Sequence, residues 1–542
     1  MKTNMSRRGF LTAAACFGTV GALGLAGCNA ASQNENRDEV AYEEEADFVV
    51  LGTGAAGLSA AITIYDEGLG TAMILEASPE EFRGGNSRVC GQGVFCPTSV
   101  ESAIAYQTDL NGSYEVDADL VRAWAENICE NKQWLEDVCG ADMQEMGGAE
   151  FPEAASSDAI VWYAHEGGGP NAACWQLLMD KAESFDVPIR YDTRAVKLIF
   201  DGNEVRGVID ETGKAYKAKK AVVLACGGFE NNQEMMNGNA PIGFAGMRAN
   251  GTWYNRGDGI TMARSVGADF WHMNNFSGNR ISLQIVSSQS EVELTQAKFG
   301  AKSHDYIFVG PDGKRFIYEE TVGQARHGKL FRAGTWADAT LPEKMFSLFG
   351  QASFDSAAIF TASSYAARTE AANPLTSNAE LLDAGIVVRC ESMADIARVT
   401  GIDEAVLQRT IDEYNANVAE GVDPDFHRGE ASTDEGLAAS HVASADSASA
   451  TIEAFSLEPI ELPCYCVRLF PGILNTQGGP KRSALGEVLD TEGVPIRRLY
   501  AAGELGTIYS YKYNLGGNFS EAISSGRVAA RSAGALSAWD EE

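Results

Sequence analysis

The segment Asp47–Glu76 limits what this chain can fold into more than any other stretch. Asp47-Phe48-Val49-Val50-Leu51 is a short apolar run of the kind buried as a parallel strand. Gly52, Gly54 and Gly57 follow at G-x-G-x-x-G spacing, and Leu58, Ala61, Ile62 and Tyr65 then recur at helical spacing. A second apolar run, Ala72–Leu75, ends at Glu76. Each part has a physical task. Gly52 permits the strand-to-helix turn, Gly54 lets backbone approach a pyrophosphate, and Gly57 allows close helix–strand packing. Ala55 and Ala56 open the helix, whose N-terminus offers N–H groups and a positive dipole end to phosphates. Glu76, followed by Ala77, stands where a carboxylate accepts hydrogen bonds from a ribose. Together these features predict a dinucleotide site on an α/β, Rossmann-like fold.

At 542 residues the chain is longer than one ordinary domain. Its formal charge of −33 argues against nucleic-acid binding, which needs a basic surface. The eleven cysteines show no C-x-x-C, haem-attachment or cluster spacing; Cys16 and Cys28 lie in the leader, and most of the other nine read as small core residues. No histidine pair has metal-ligand spacing, so no metal is expected.

Residues 1–27 carry a twin-arginine motif, Ser6-Arg7-Arg8-Gly9-Phe10-Leu11, and an apolar run too short for a membrane span. Leu25-Ala26-Gly27-Cys28 has the form of a lipobox. Residues 28–45 are polar and acidic and read as a disordered tether. The expectation is an extracytoplasmic lipoprotein that meets the membrane only through a lipidated Cys28. The alternative is secretion after signal cleavage.

Further along come Gly84-Gly85-Asn86-Ser87 with Gly91 and Gly93, a loop that lets backbone pass close to a cofactor. Helix is expected at Ala118–Val138 and Ala172–Phe185. Strand-like pieces at Ile189–Tyr191, Val196–Phe200 and Val205–Ile209 suggest a small antiparallel insertion. Ala225-Cys226-Gly227-Gly228-Phe229 ends a buried strand. Asn255-Arg256-Gly257-Asp258-Gly259 opens a helix, with Asp258 as its cap or a cofactor contact. Asn518, with Glu521 three residues on, reads as the cap of a C-terminal helix. No second G-x-G-x-x-G exists, so no separate nicotinamide domain is expected.

These motifs, with Gly503-Glu504 and Leu515-Gly516-Gly517-Asn518 near the end, occur in an order that resembles the fumarate reductase/flavocytochrome c type of FAD-dependent oxidoreductases. Gly313-Lys314-Arg315-Phe316, Glu413-Tyr414-Asn415 and Gly421-Val422-Asp423-Pro424-Asp425-Phe426 look like that family's capping-domain landmarks. The resemblance implies FAD as cofactor and a Rossmann-like FAD-binding domain in two pieces, 46–275 and 475–534. An inserted α+β capping domain would occupy 276–474, with the Ala/Ser/Asp-rich 431–454 as a loop on it. The implied cofactor contacts add Ala195, Val196, Ala522 and Ile523 to the glycines, Glu76, Asn86, Ser87, Ala225, Cys226, Asp258, Glu504 and Asn518 already named.

Members of this family reduce an activated alkene by flavin hydride transfer, with an acid in the cap donating the proton. Where dicarboxylate-specific members place their proton-donating arginine this chain has Gly323, with Arg326 and His327 just beyond. Their carboxylate-holding arginine corresponds to Asn514, and an expected histidine to Asn475. Fumarate and succinate are therefore not expected substrates. Tyr509, Tyr511 and Tyr513 fill the gap, on one face if the segment is extended, and suit a planar substrate. Arg326, His327, Tyr511 and Tyr513 are the catalytic candidates. The expected activity is reduction of a C=C bond conjugated to a carbonyl in an aromatic or polycyclic compound. Electrons would come from an external membrane cytochrome or flavin carrier. A ketosteroid-type dehydrogenase and a non-catalytic electron-transfer flavoprotein are the alternatives.

Overall fold

The computed structural model describes residues 40–166, 173–241, 246–278, 280–285, 293–299, 303–319, 329–332, 335–338, 341–356, 360–362, 377–430, 455–512 and 514–541. One compact unit spans Tyr42–Glu542. Its first sheet begins with β1 (Tyr42–Leu51), which runs into α1 (Ala55–Asp66) and β2 (Ala72–Leu75). Phe48, Val49, Val50 and Leu51 are all buried, as a strand covered on both faces requires. After β3 (Ile189–Arg190), β4 (Ala195–Phe200) and β5 (Val205–Asp210) comes the long β6 (Ala215–Leu224). Near the C-terminus, β7 (Glu487–Leu489) and β8 (Pro495–Ala501) precede α2 (Gly517–Gly534). The sheet order is β7-β8-β6-β1-β2-β3, parallel from β8 to β3, with β5 pairing antiparallel to β6 and to β4.

Two expectations need correction here. The strand at Ile189 is not part of an antiparallel insertion; it extends the parallel sheet beside β2. Residues 42–45 are not tether. Their acidic side chains meet cations of neighbouring strands, Glu44 with Arg190 at 2.7 Å and Glu45 with Lys219 at 2.8 Å, and the backbone pairs with β6. An acidic run without apolar periodicity can still be strand when the adjacent strands carry the counter-charges. The helix expected over 118–138 is two helices, Ala118–Ile128 and Asn131–Cys139, with Trp124 and Trp134 both buried.

A second, largely antiparallel sheet centres on Cys464–Ile473, flanked by Met345–Phe349 and Arg280–Ile285. The chain leaves and re-enters the first layer side by side, where Phe276–Ser277 pairs with Asn475–Thr476 and Phe270–Trp271 with Gly479–Pro480. Beneath the second sheet the three landmark motifs converge on one buried ion cluster. Arg315 bonds Glu319 at 2.7 Å and Asp423 at 2.8 Å, and lies over the rings of Tyr414 and Phe426. Arg428 donates to the Tyr306 carbonyl and stands 3.9 Å from Glu319. Two cations and two carboxylates balance, so these motifs hold the cap together. The low-complexity stretch 431–454 lies outside the described residues.

A dinucleotide cavity and its surroundings

The glycine loop is shaped by contacts that no other residue tolerates. Gly52 has φ +106°, and a Cβ there would sit 2.7 Å from the Ala225 carbonyl oxygen. A Cβ on Gly57 would lie 2.0 Å from the Gly52 carbonyl oxygen, so α1 rests directly on the turn. The Ala55 N–H in the first turn donates to Ser87 Oγ at 2.9 Å, which ties the Gly85–Val89 helix to the start of α1. Glu76 ends β2 and is buried; it accepts from the backbone N–H of Thr53 and of Ser78, each at 2.8 Å. The Thr53 hydroxyl donates to it as well, and a carboxylate has about four lone-pair sites, so capacity remains for one further hydroxyl.

From this loop a cavity of about 300 Å³ runs to the N-terminus of α2. Gly52, Gly54, Ala55, Ala56, Glu76 and Ala77 line one end, with Ala195, Ala225, Cys226, Gly227 and Asp258 beside them. Gly85, Asn86, Ser87, Gly91, Gly93, Gly503, Glu504, Asn518 and Ala522 line the rest. Burial pushes the Cys226 thiol up to about 12, which keeps it an inert wall group.

Five expected contacts face elsewhere. Gly57 is held against the turn, and Gly84, at φ +98°, makes room for the Trp175 ring. Val196 follows Ala195 on β4, so alternation turns it outward, and it is exposed. Gly517 begins α2 behind the lining Gly516. Ile523, one step around α2 from Ala522, packs into the core with α1. Two caps also differ. Gly516, at φ +78°, caps α2 without a side-chain bond, because Gly93 backbone lies where any Cβ would go. Glu521 is instead buried in an ion pair with Arg482. Gly257 caps the helix Asp258–Ser265, and Asp258 pairs with Arg194 at 2.8 Å.

Sequence reasoning missed several wall residues. Thr252, Tyr254, Arg194 and Leu474 line the cavity without any glycine or spacing signal, whereas Asn255 and Leu515 belong to glycine motifs already read. Glu230 stands behind Glu504, and its place just after Gly227-Gly228-Phe229 was the one readable cue. Among the catalytic candidates, Arg326, His327 and Tyr513 lie outside the described residues. Tyr511 is described but is not a cavity wall; its hydroxyl donates to the Trp336 carbonyl, and its ring lies 5.3 Å from Lys329. Tyr509 is buried against Trp124. Asn514 is buried, and its Oδ1 accepts from Tyr106 at 2.6 Å and from the Glu150 N–H at 2.7 Å.

The cavity suits an elongated dinucleotide. Phosphates fit the glycine turn and the α1 N-terminus. At the far end Asn518 Oδ1 is buried without a partner among the described residues, a polar atom awaiting a ligand. The α2 N-terminus directs its positive dipole end to the same place.

Comparison with known proteins decides which dinucleotide. A family model described as "FAD binding domain" matches residues 47–520. The chain belongs to this FAD-binding family. This FAD-dependent oxidoreductase is 26% identical over 509 residues to a probable fumarate reductase of Shewanella frigidimarina, covering 90% of this chain and 74% of the relative. It is 24% identical to a digoxin reductase of Eggerthella lenta, covering 100% of this chain and 99% of the relative. Its fold is similar to the crystal structure of a 3-ketosteroid delta1-dehydrogenase from Sterolibacterium denitrificans, with TM-score 0.69 at 18% identity, covering 91% of this chain and 100% of that one.

In the FAD-binding protein, Glu76→Ala removes the acceptor of two buried N–H groups as well as a carboxylate that lines the cavity. An unsatisfied buried donor costs about 1–3 kcal/mol, so FAD affinity falls roughly 10- to 100-fold. Flavin fluorescence released on dilution measures it.

Proposed function

We propose that this protein reduces a carbon–carbon double bond conjugated to a carbonyl in an aromatic or polycyclic substrate, with electrons from an external donor. The observation that carries the reading is the state of Asn514. It precedes the lining Leu515, and its amide oxygen is consumed by Tyr106 and Glu150. The Glu150 carboxyl accepts from the Leu515 N–H at 2.7 Å, which puts an acid, not a cation, beside that end of the cavity. The neighbouring lysines face other groups: Lys329 bonds Asp338 and Asn275, and Lys512 lies over the rings of Phe151, Trp336 and Tyr511. Among the described residues, a dicarboxylate finds little to hold it at that end. Kinship with a fumarate reductase and a digoxin reductase supports alkene reduction, and the latter supports a polycyclic substrate.

Bound FAD supplies two-electron exchange with a substrate carbon. The α2 N-terminus and Asn518 hold the cofactor end nearest the substrate and favour negative charge there. Arg326, with His327 beside it, is assigned proton donation to the other carbon, and Tyr513 the substrate carbonyl. Export through the twin-arginine leader and anchoring at Cys28 belong to the same proposal, since they set the donor outside the cytoplasm; the mass of the mature N-terminus tests them.

One anaerobic screen tests the activity. Enzyme reduced with viologen is mixed with fumarate, an aromatic enoate or a polycyclic enone, and flavin reoxidation is followed. Reoxidation by the latter two and not by fumarate is expected, falling at least about 100-fold in Arg326→Ala. Reoxidation by fumarate alone sinks the proposal. Faster turnover of a saturated ketone with a dye acceptor reverses its direction.

A further inference from the structure

Two carboxyl groups stand in contact on the wall of the FAD cavity. Glu230 is buried, Glu504 is half-buried and lines the cavity, and the same two amides hold the two carboxyl groups side by side. Among the described residues, no element around them supplies a cation. The short helix Gly85–Val89 presents Asn86, whose Nδ2 donates to Glu230 Oε1 at 2.8 Å and Glu504 Oε2 at 3.1 Å. The loop before Asp258 presents Asn255, whose Nδ2 donates to the same two oxygens at 2.8 and 3.4 Å. The returning strand Asn475–Thr476 gives the Thr476 N–H to Glu504 Oε1 at 3.1 Å. The amide of Asn86 cannot be flipped, because its Oδ1 accepts from the Thr252 N–H at 2.9 Å. Among the described residues, neither carboxyl has a lysine, arginine or histidine partner, and no other carboxyl bonds to them.

These donors satisfy three of the four oxygens. Glu230 Oε2 is buried with no donor. It lies beside Gly228 together with Glu504 Oε1, since a Cβ on Gly228 would be 2.7 Å from the first and 2.3 Å from the second. Two ionised carboxylates held this close by the same amides, with no cation beside them among the described residues, repel each other strongly. A proton shared between them relieves that repulsion and supplies the donor that Glu230 Oε2 lacks.

The pair also sits beside the phosphate cradle. A Cβ on Gly503, which precedes Glu504, would stand 2.9 Å from Ala56 Cβ in the first turn of α1. Ser87, which follows Asn86, accepts from the Ala55 N–H. Whatever charge the pair carries is therefore felt by the diphosphate of bound FAD.

We propose that Glu230 and Glu504 hold one proton between them in the FAD-loaded protein, and that this shared proton makes retention of FAD dependent on pH. Burial raises the proton affinity of both groups, and their mutual repulsion raises that of Glu504 further. Dinucleotide phosphates raise it again when FAD binds, so FAD binds better to the protonated pair. The sign follows: affinity is full where the FAD-free pair is protonated, and is lost as pH rises toward the value of the loaded pair. The proposal rests on FAD binding alone and not on the substrate reading above.

The test uses holoenzyme. FAD dissociation is measured by fluorescence on dilution from about pH 7 to about pH 10, while the infrared spectrum at neutral pH reports protonated carboxyl groups. Wild type is expected to weaken by up to about tenfold per pH unit and to show a protonated carboxyl band. Glu230→Gln keeps the shape and an amide donor for Glu504, so its affinity is expected to be flat with pH and its spectrum to lack that band. A wild type without the band, or whose affinity does not change with pH, overturns the proposal, as does a Glu230→Gln slope equal to wild type. If Glu230→Gln does not fold, the wild-type slope and band decide alone.

Discussion

Gly57→Ala yields a purified protein without flavin colour. The added Cβ is placed 2.0 Å from the Gly52 carbonyl oxygen, 3.1 Å from its carbonyl carbon and 3.3 Å from Val50 Cγ1. Two of these atoms are backbone of the turn and cannot rotate away, so α1 must lift from β1 by about an ångström. Overpacking of this kind costs about 1–3 kcal/mol in stability. The larger loss is in binding, because the N–H groups of the first turn move with the helix. Lost hydrogen bonds to charged phosphate are worth about 1.5–3 kcal/mol each, which lowers affinity roughly 10- to 100-fold. Visible flavin absorbance per protein measures the effect directly. Gly238→Ala is the contrast: Gly238 lies in the helix Gln233–Asn239 with open space around it, and alanine there is neutral or stabilising by up to about 1 kcal/mol. Full flavin content in Gly57→Ala contradicts the packing argument.

Arg315→Ala unfolds the cap under conditions where wild type is stable. The substitution leaves Glu319 and Asp423, both buried, facing Arg428 alone. Breaking a buried ion network from one side costs about 3–5 kcal/mol, a large part of the 5–15 kcal/mol that holds a typical domain. The Tyr414 and Phe426 rings also lose the guanidinium they pack against. Expected results are an early melting transition and proteolysis within 303–430. Asp423 gives a pH signature as well. Burial pushes its carboxyl up, but the Arg315 hydrogen bond and charge outweigh burial and hold it below the usual range. Its contribution is therefore complete above the unfolded value and lost as pH falls through the folded one. Arg315→Ala should remove that acid-side loss. Arg398, exposed and paired with Asp395 at 3.0 Å, should tolerate alanine with no change in melting.

The cofactor half of the fold was legible because its signals are local. Glycines at fixed spacing, an apolar run and a terminal acid determine β1, α1 and β2 within one short stretch, and those residues do line the cavity or brace it. What failed depended on partners distant in sequence. Nothing near Glu44 announces that Arg190 will neutralise it, so the start of β1 read as tether. Asn518 and Glu521 spell a capping box, yet Gly93 crowds Gly516 into the left-handed region, and Arg482 claims Glu521. Asn514 was noticed for what it replaces, but its bonds to Tyr106 and Glu150 follow only from tertiary structure. The antiparallel sheet around Cys464–Ile473 had no local motif at all, and its landmarks turned out to be an ion cluster.

The order in which the sheet is assembled has a consequence for biosynthesis. The phosphate turn is made early, but β8, which pairs with β6, and α2, whose Gly526 sits flush against the Ala56 carbonyl of α1, are translated much later. A growing polypeptide on the ribosome has only one side of the nucleotide cleft until α2 has emerged. Prematurely terminated products lack the opposite wall and cannot be rescued by added FAD. Flavin colour is thus an internal certificate that synthesis passed α2.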